Sequence, residues 1–262
     1  MNFLHLINPL YSVSGFAVGL LVGFTGVGGG SLMTPLLVLA FGIHPATAVG
    51  TDLLYAAATK SVGTVVHGAS RTVDWKIVGK LAAGSVPATA ITLLALSHAS
   101  KKIDTSHGVI TSVLGVALIL TAIAILFRKM ILDFFAARVG ELEPGQITAF
   151  TIGLGALLGV LVSLSSVGAG AIGVTVLLVL YPKMPAARLV GSDIAHAVPL
   201  TLLAGLGHWL MGSVDFHLLA SLLVGSIPGI IIGSLLSARA PDNVLRPILA
   251  STLALVGGKL IF

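Results

Sequence analysis

The sequence predicts an all-α integral membrane protein made of two inverted repeats. Each repeat is a glycine-broken helix hairpin followed by three transmembrane helices. Three observations predict this. Charged residues are 9% of the 262 and apolar residues 56%, with a mean hydropathy of +1.09, whereas soluble domains carry roughly 25% charge. Apolar runs of about spanning length recur at 76–97, 107–127, 145–165 and 217–237. The chain also repeats itself. Gly15-x3-Gly19-x3-Gly23 followed by Gly26-Val27-Gly28-Gly29-Gly30 returns as Gly155-x3-Gly159-x3-Ser163 followed by Ser166-Val167-Gly168-Ala169-Gly170, at an offset of 140. Beyond Pro45-Ala46 and Pro185-Ala186 the offset becomes 141. Gly50-Thr51-Asp52 then matches Gly191-Ser192-Asp193, and His67 matches His208. Val73-Asp74-Trp75 matches Val214-Asp215-Phe216, and Gly84-Ser85-Val86-Pro87 matches Gly225-Ser226-Ile227-Pro228. Internal repeats carrying broken apolar segments are the mark of secondary transporters.

The elements follow in order. Each repeat opens on a pair of segments, 5–24 with 31–43 and 145–165 with 171–181. The second member of each pair is too short for an upright span. Three ordinary spans follow, at 46–66, 76–97 and 107–127 in the first repeat and at 186–209, 217–237 and 244–262 in the second. The domain division is therefore 1–127, a cytoplasmic linker at 128–146, and 147–262. With no cysteine, disulfide and thiolate chemistry are excluded. The net charge of +5 sits in short loops, where it sets orientation and gives no nucleic-acid signal. A signal peptide is not expected, because the first basic residue is Lys60.

The basic residues choose between two topologies. If each opening pair crosses once, loop Lys and Arg divide about evenly between the two sides. If each pair enters and returns, one side collects Arg71, Lys76, Lys80, Arg128, Lys129, Arg138, Lys183, Arg188, Arg239 and Arg246. The other side keeps Lys101, Lys102 and Lys259. The positive-inside rule favours the hairpin arrangement, with the basic side cytoplasmic and both termini outside. A hairpin plus three crossings is an odd unit, so the second copy is inverted. The expected location is a bacterial or archaeal cytoplasmic membrane.

The glycine turns are the candidate binding site. Gly28, Gly29 and Gly30 leave backbone amides uncovered, and Ser31 opens the next helix. A helix start carries unpaired N–H groups and the positive end of the dipole, which suits an oxyanion. Gly168, Ala169 and Gly170 repeat the arrangement, and Thr51 and Ser192 precede the acidic pair. Packing is the alternative role for the glycines, and it is the preferred one for Gly15, Gly19 and Gly23. Asp52 and Asp193 are ionisable groups in apolar sequence and are candidates for proton or cation coupling. Alternatively, each stabilises the start of its own helix. His196, one turn from Asp193, could share a proton with it. Lys60 either snorkels to the interface or contacts an anion. Its repeat partner is Thr201. His67 and His208 are expected at the interface, as are the belt aromatics Trp75 and Trp209.

At Gly23-Phe24-Thr25-Gly26-Val27-Gly28-Gly29-Gly30-Ser31-Leu32-Met33-Thr34-Pro35, followed by His44-Pro45-Ala46-Thr47-Ala48-Val49-Gly50-Thr51, the chain resembles the TauE/SafE family of membrane permeases. The weaker second copy fits as well, and the resemblance spans nearly the whole chain. It implies transport of small sulfur-containing anions such as sulfite or the organosulfonate sulfoacetate, with export the usual direction and uptake also known. The expected partners are that anion, the lipid bilayer and a coupling ion, either proton or sodium. A homodimer is a further option. No cofactor, metal or nucleic acid is called for.

Two other classes compete. An anion channel could use the same helix ends. A membrane-embedded serine hydrolase could pair Ser166 with His196, although the Gly-x-Ser-x-Gly elbow is absent. There is no Walker-type phosphate loop for nucleotide hydrolysis.

Overall fold

The computed structural model describes residues 7–25, 30–69, 71–102 and 143–236, with scattered positions between 115 and 130. The expected spans at 107–127 and 244–262 lie largely or wholly outside the described residues. Among those described, every regular element is an α-helix: α1 (Pro9–Thr25), α2 (Gly30–Leu39), α3 (Pro45–Ala69), α4 (Trp75–Lys102), α5 (Pro144–Ser165), α6 (Ala171–Leu180), α7 (Ala186–Leu210) and α8 (Phe216–Leu236). The broken pairs fall where glycine density and segment length place them. Helices α2 and α6 have 10 residues each, about 15 Å at 1.5 Å per residue, or half a bilayer core.

Four described helices are long and apolar enough to cross a membrane: Trp75–His98, Pro144–Ser165, Ala186–Leu210 and Phe216–Gly233. Helix α3 has 25 residues but is more polar, since it carries Thr51, Asp52, Thr59 and Lys60. All four of those side chains are buried. A span with such a load must lie inside the bundle, and α3 does. Val49 and Leu53 belong to a core with Leu81, Leu158, Leu177 and Leu200. Ala48 and Tyr55 belong to a second core with Val18, Met33, Leu37 and Leu222.

The repeats pack on each other reciprocally. Gly15 and Gly19 of α1 lie against the backbone of Leu222 and Ser226 in α8. At the repeat offsets, Gly155 and Gly159 of α5 lie against Leu81 and Ser85 in α4. Gly225 meets Ser12, and Gly84 meets Ile152. In both pairs the numbering rises together, so α1 runs parallel to α8 and α5 parallel to α4. The central pair is different. Gly50 faces His208 and Ser213, Leu54 faces Gly205, and Gly63 faces Ile194. Helices α3 and α7 are therefore antiparallel. The α1–α8 contacts have twins in α5–α4 with the repeats exchanged, the property of a two-fold relation.

Glycine is required at the α1–α8 and α5–α4 crossings because backbone meets backbone there. Gly153, by contrast, has open space where a side chain would go. Gly155→Ala should lower stability by about 1–3 kcal/mol through overpacking, while Gly153→Ala should be neutral or slightly stabilising. Thermal unfolding of the two purified variants checks this contrast.

Candidate functional site

The site forms where the second glycine turn meets the central helix pair. Helix α5 ends at Ser166, which is left-handed at φ 58. The chain then passes through Gly168 at φ 122 and Gly170 at φ 100. Only glycine takes such angles without strain. This reversal lets α6 start inside the protein. Of the equivalent first turn, Gly28 and Gly29 lie outside the described residues. Gly30 begins α2, with Ser31 following it.

Asp52 lies two turns into α3, away from the start of its own helix. Its Oδ2 accepts the backbone N–H of Thr34 at 3.1 Å and the Thr34 hydroxyl at 2.6 Å. Its Oδ1 has no hydrogen-bond partner. The Ser166 hydroxyl, also unpartnered, is close enough to act on Asp52 but not in bonding geometry. Asp193 stands likewise two turns into α7. Its carboxylate packs against the backbone of Gly173 and faces the Gly170 amide. Neither of its oxygens closes a hydrogen bond. The own-helix role expected for these carboxylates is thus corrected. Each reaches across to the opening turns of the neighbouring half-helix, where the positive dipole end lies.

Lys60 is 3% exposed, so it does not snorkel towards the surface. Its charge acts on both Asp193 and Asp52. Two carboxylates, one ammonium, the Ser166 hydroxyl and the start of α6 therefore share one buried region. Ala169 is buried within the same turn.

Other expected site residues have different work. The Thr51 hydroxyl accepts the Asp215 N–H at 3.0 Å, and the Ser192 hydroxyl accepts the Asp74 N–H at 2.8 Å. These are repeat-equivalent ties between an α3 or α7 start and the opposite repeat's loop. Arg188 adds an ion pair to Asp74 at 3.6 Å in the second tie. His196 Nε2 pairs with the Ser85 hydroxyl at 2.8 Å, and its Nδ1 is unpartnered. It therefore shares no hydrogen bond with Asp193 or with Ser166. His208 is buried, not interfacial, with Nε2 on the Ser163 carbonyl at 2.9 Å. The side chain of His67 lies outside the described residues. Trp75 and Trp209 are exposed at helix ends, as belt aromatics are. Thr34 escaped the sequence reading because its repeat counterpart, Val174, is apolar.

Removal of Lys60 leaves two buried carboxylates without their shared cation. Lys60→Met should destabilise the protein, and Asp193→Asn in the same chain should restore part of the loss. A coupling energy of about 0.5–3 kcal/mol in a double-mutant cycle, read by thermal unfolding, is the expected result.

No solved structure matches the chain. Its relatives by sequence are described as probable membrane transporter proteins. YjnA of Bacillus subtilis (strain 168) is 40% identical over 248 residues, covering 94% of this chain and 97% of the relative. YdhB of the same strain is 31% identical over 254 residues, with the same two coverages. MJ0441 of Methanocaldococcus jannaschii is 27% identical over 275 residues, covering 96% of this chain and 94% of the relative. The family described as "Sulfite exporter TauE/SafE" matches residues 11–260. With that match over almost its whole length, on a bundle of apolar helices with two broken helix pairs, the chain belongs to the TauE/SafE family of membrane transporters.

Proposed function

We propose that this protein is a secondary transporter that moves small sulfur-containing anions, such as sulfite, sulfoacetate or related organosulfonates, across the cytoplasmic membrane, coupled to an ion. The observation that carries the reading is the buried Lys60, whose charge acts on Asp193, the carboxylate that lies at the start of α6. An ammonium and the positive end of a helix are the two groups an oxyanion needs. The family's description supports the substrate class. The α5–α6 turn, through Gly168, Ala169 and Gly170, supplies the contact surface. Gly28, Gly29, Gly30 and Ser31 are its counterparts in the first repeat. Of the coupling candidates, Asp52 and Asp193 lie in the same region, while His196 is held by Ser85. A proton is the simpler coupling ion, since a carboxylate can take it up without a coordination shell.

The inverted arrangement is supported by the ties between repeats. The start of α4 is bonded to Ser192 and the start of α8 to Thr51. If each broken pair crossed the membrane once, the partners in each tie would lie on opposite sides. If each pair enters and returns, they share a side. The second arrangement puts both termini outside, with 71–76 and 183–188 cytoplasmic. Lys76 and His217 are exposed equivalents at the openings of α4 and α8. In this cysteine-free chain, His217→Cys should label from outside intact cells, and Lys76→Cys only after permeabilisation. Labelling of both from one side would sink the inverted topology.

A channel built on the same helix ends is separated from a carrier by flux. Proteoliposomes should take up sulfite or sulfoacetate at a rate that saturates with concentration. Gly170→Leu, which strains the turn and covers its amides, should reduce uptake to background. Uptake that stays linear to high concentration would favour the channel.

A further inference from the structure

The start of α6 has a built-in occupant. Asp193 is 1% exposed. It lies on the backbone of Gly173 and faces the Gly170 amide, with no hydrogen bond to either oxygen. A buried carboxylate without hydrogen bonds is in an unfavourable setting. Its companion Asp52 differs, being fixed on one oxygen by two bonds from Thr34. The Ser166 hydroxyl, buried and unpartnered, lines the same turn. Four features thus share one buried region: a helix start, an unpartnered hydroxyl, a lysine, and a carboxylate with no hydrogen bond to either oxygen.

We propose that Asp193 occupies the seat of the transported oxyanion at the start of α6, and that protonation of Asp193 releases the seat. The inference rests on the anion-transport reading and adds its coupling device. A carboxylate and a sulfonate or sulfite oxygen compete for the same amides, hydroxyl and ammonium. When Asp193 takes a proton from water it becomes a neutral acid, which the dipole end and Lys60 no longer hold by charge. The anion then enters beside Lys60, Ser166 and the α6 amides. On release of the anion the proton leaves, and the carboxylate returns. Proton and anion therefore bind together, and by linkage each raises the affinity for the other.

The titratable groups around Asp193 are few. Lys60 acts on it from α3 and acts on Asp52 as well, and His196 lies one turn along its own helix. Helices α5 and α6 and the turn between them carry none. Lys60 acts on both carboxylates and on His196, and Asp52 is the other carboxylate it acts on. Its Thr34 bonds set it apart, since they hold a carboxylate in place.

The test is equilibrium binding to the purified full chain at pH 5 to 9. The probes are sulfoacetate and methanesulfonate, whose charges do not change over most of that range. Wild-type affinity should fall about tenfold per pH unit where one linked proton is lost. Asp193→Asn mimics the protonated acid. It should bind at least as tightly as wild type does at its acid limit, with a flat pH profile, and it should lose proton-driven uptake. Asp52→Asn should keep the pH slope. Asp193→Ser is the second variant, so that misfolding of the asparagine form does not leave the question open. It too should bind without pH dependence. Binding by both Asp193 variants with the wild-type slope would overturn the exchange while leaving the anion site intact. No binding of either probe, or of sulfite, to any form at any pH would overturn the anion reading itself, and the exchange with it.

Discussion

A half-helix that begins inside a bilayer must find partners for its exposed amides within the protein, because lipid supplies none. The rest of this structure depends on that constraint. The opening turns of α2 and α6 are met by carboxylates brought from outside their own hairpins, Asp52 from α3 and Asp193 from α7. This fixes the position of each hairpin against the central antiparallel pair. It also buries two negative charges, which one lysine on α3 faces. A lysine buried so deeply requires protein on every side. The backbone-close glycine contacts of α1 with α8, and of α5 with α4, close the bundle around it. Such contacts gain van der Waals packing that bulkier residues would prevent. The binding chemistry and the packing are thus one arrangement.

The two halves share a backbone plan and differ in chemistry. Lys60 has Thr201 as its equivalent, and the Thr201 hydroxyl bonds back to the Ala197 carbonyl of its own helix. Thr34, which fixes Asp52, has Val174 as its equivalent. Tyr55 stands where the second repeat has His196, and both side chains lie near equivalent serines, Ser226 and Ser85. Twofold packing therefore survives while the polar groups diverge. A carrier that alternates between two inverted states needs the first property. A site that binds one ion of one sign needs the second, since a symmetric pair of lysines or of fixed carboxylates would hold charge equally in both halves.

Much of the fold was legible because it depends on spacing. The broken pairs were read from segment length and glycine density, and their observed limits fall within a few residues of those read. Gly15 and Gly19 were read as packing residues, and they touch the α8 backbone. Asp52, Asp193 and Lys60 were legible as site candidates because ionisable groups stand out in apolar sequence. Their partners were not. Thr51 and Ser192 looked like ligands, being hydroxyls beside the carboxylates, yet neighbours in sequence point to different faces of a helix. The hydroxyls turn to loops more than a hundred residues away. His208 looked interfacial from its place near a helix end. It is buried because α7 crosses α5 there, and a crossing is not visible in one strand of sequence. The role of Thr34 was hidden by the repeat itself, which directed attention to pairs of matched residues.

Charge sets the final constraint. Asp52, Asp193 and Lys60 together carry one net negative charge when all are ionised. An entering monoanion would make it two. At an effective dielectric near 20, two like charges 5 Å apart repel by about 3 kcal/mol. One lysine offsets about one such repulsion and leaves the other standing. The proposed proton on Asp193 removes it and leaves the anion facing one ammonium, one carboxylate and the α6 dipole. Anion entry without the proton is thus disfavoured by a factor on the order of a hundred, by the same arithmetic. The proposed coupling thus follows from the number and signs of these three groups. On that proposal one proton and one monoanion move together, with no net charge crossing the membrane.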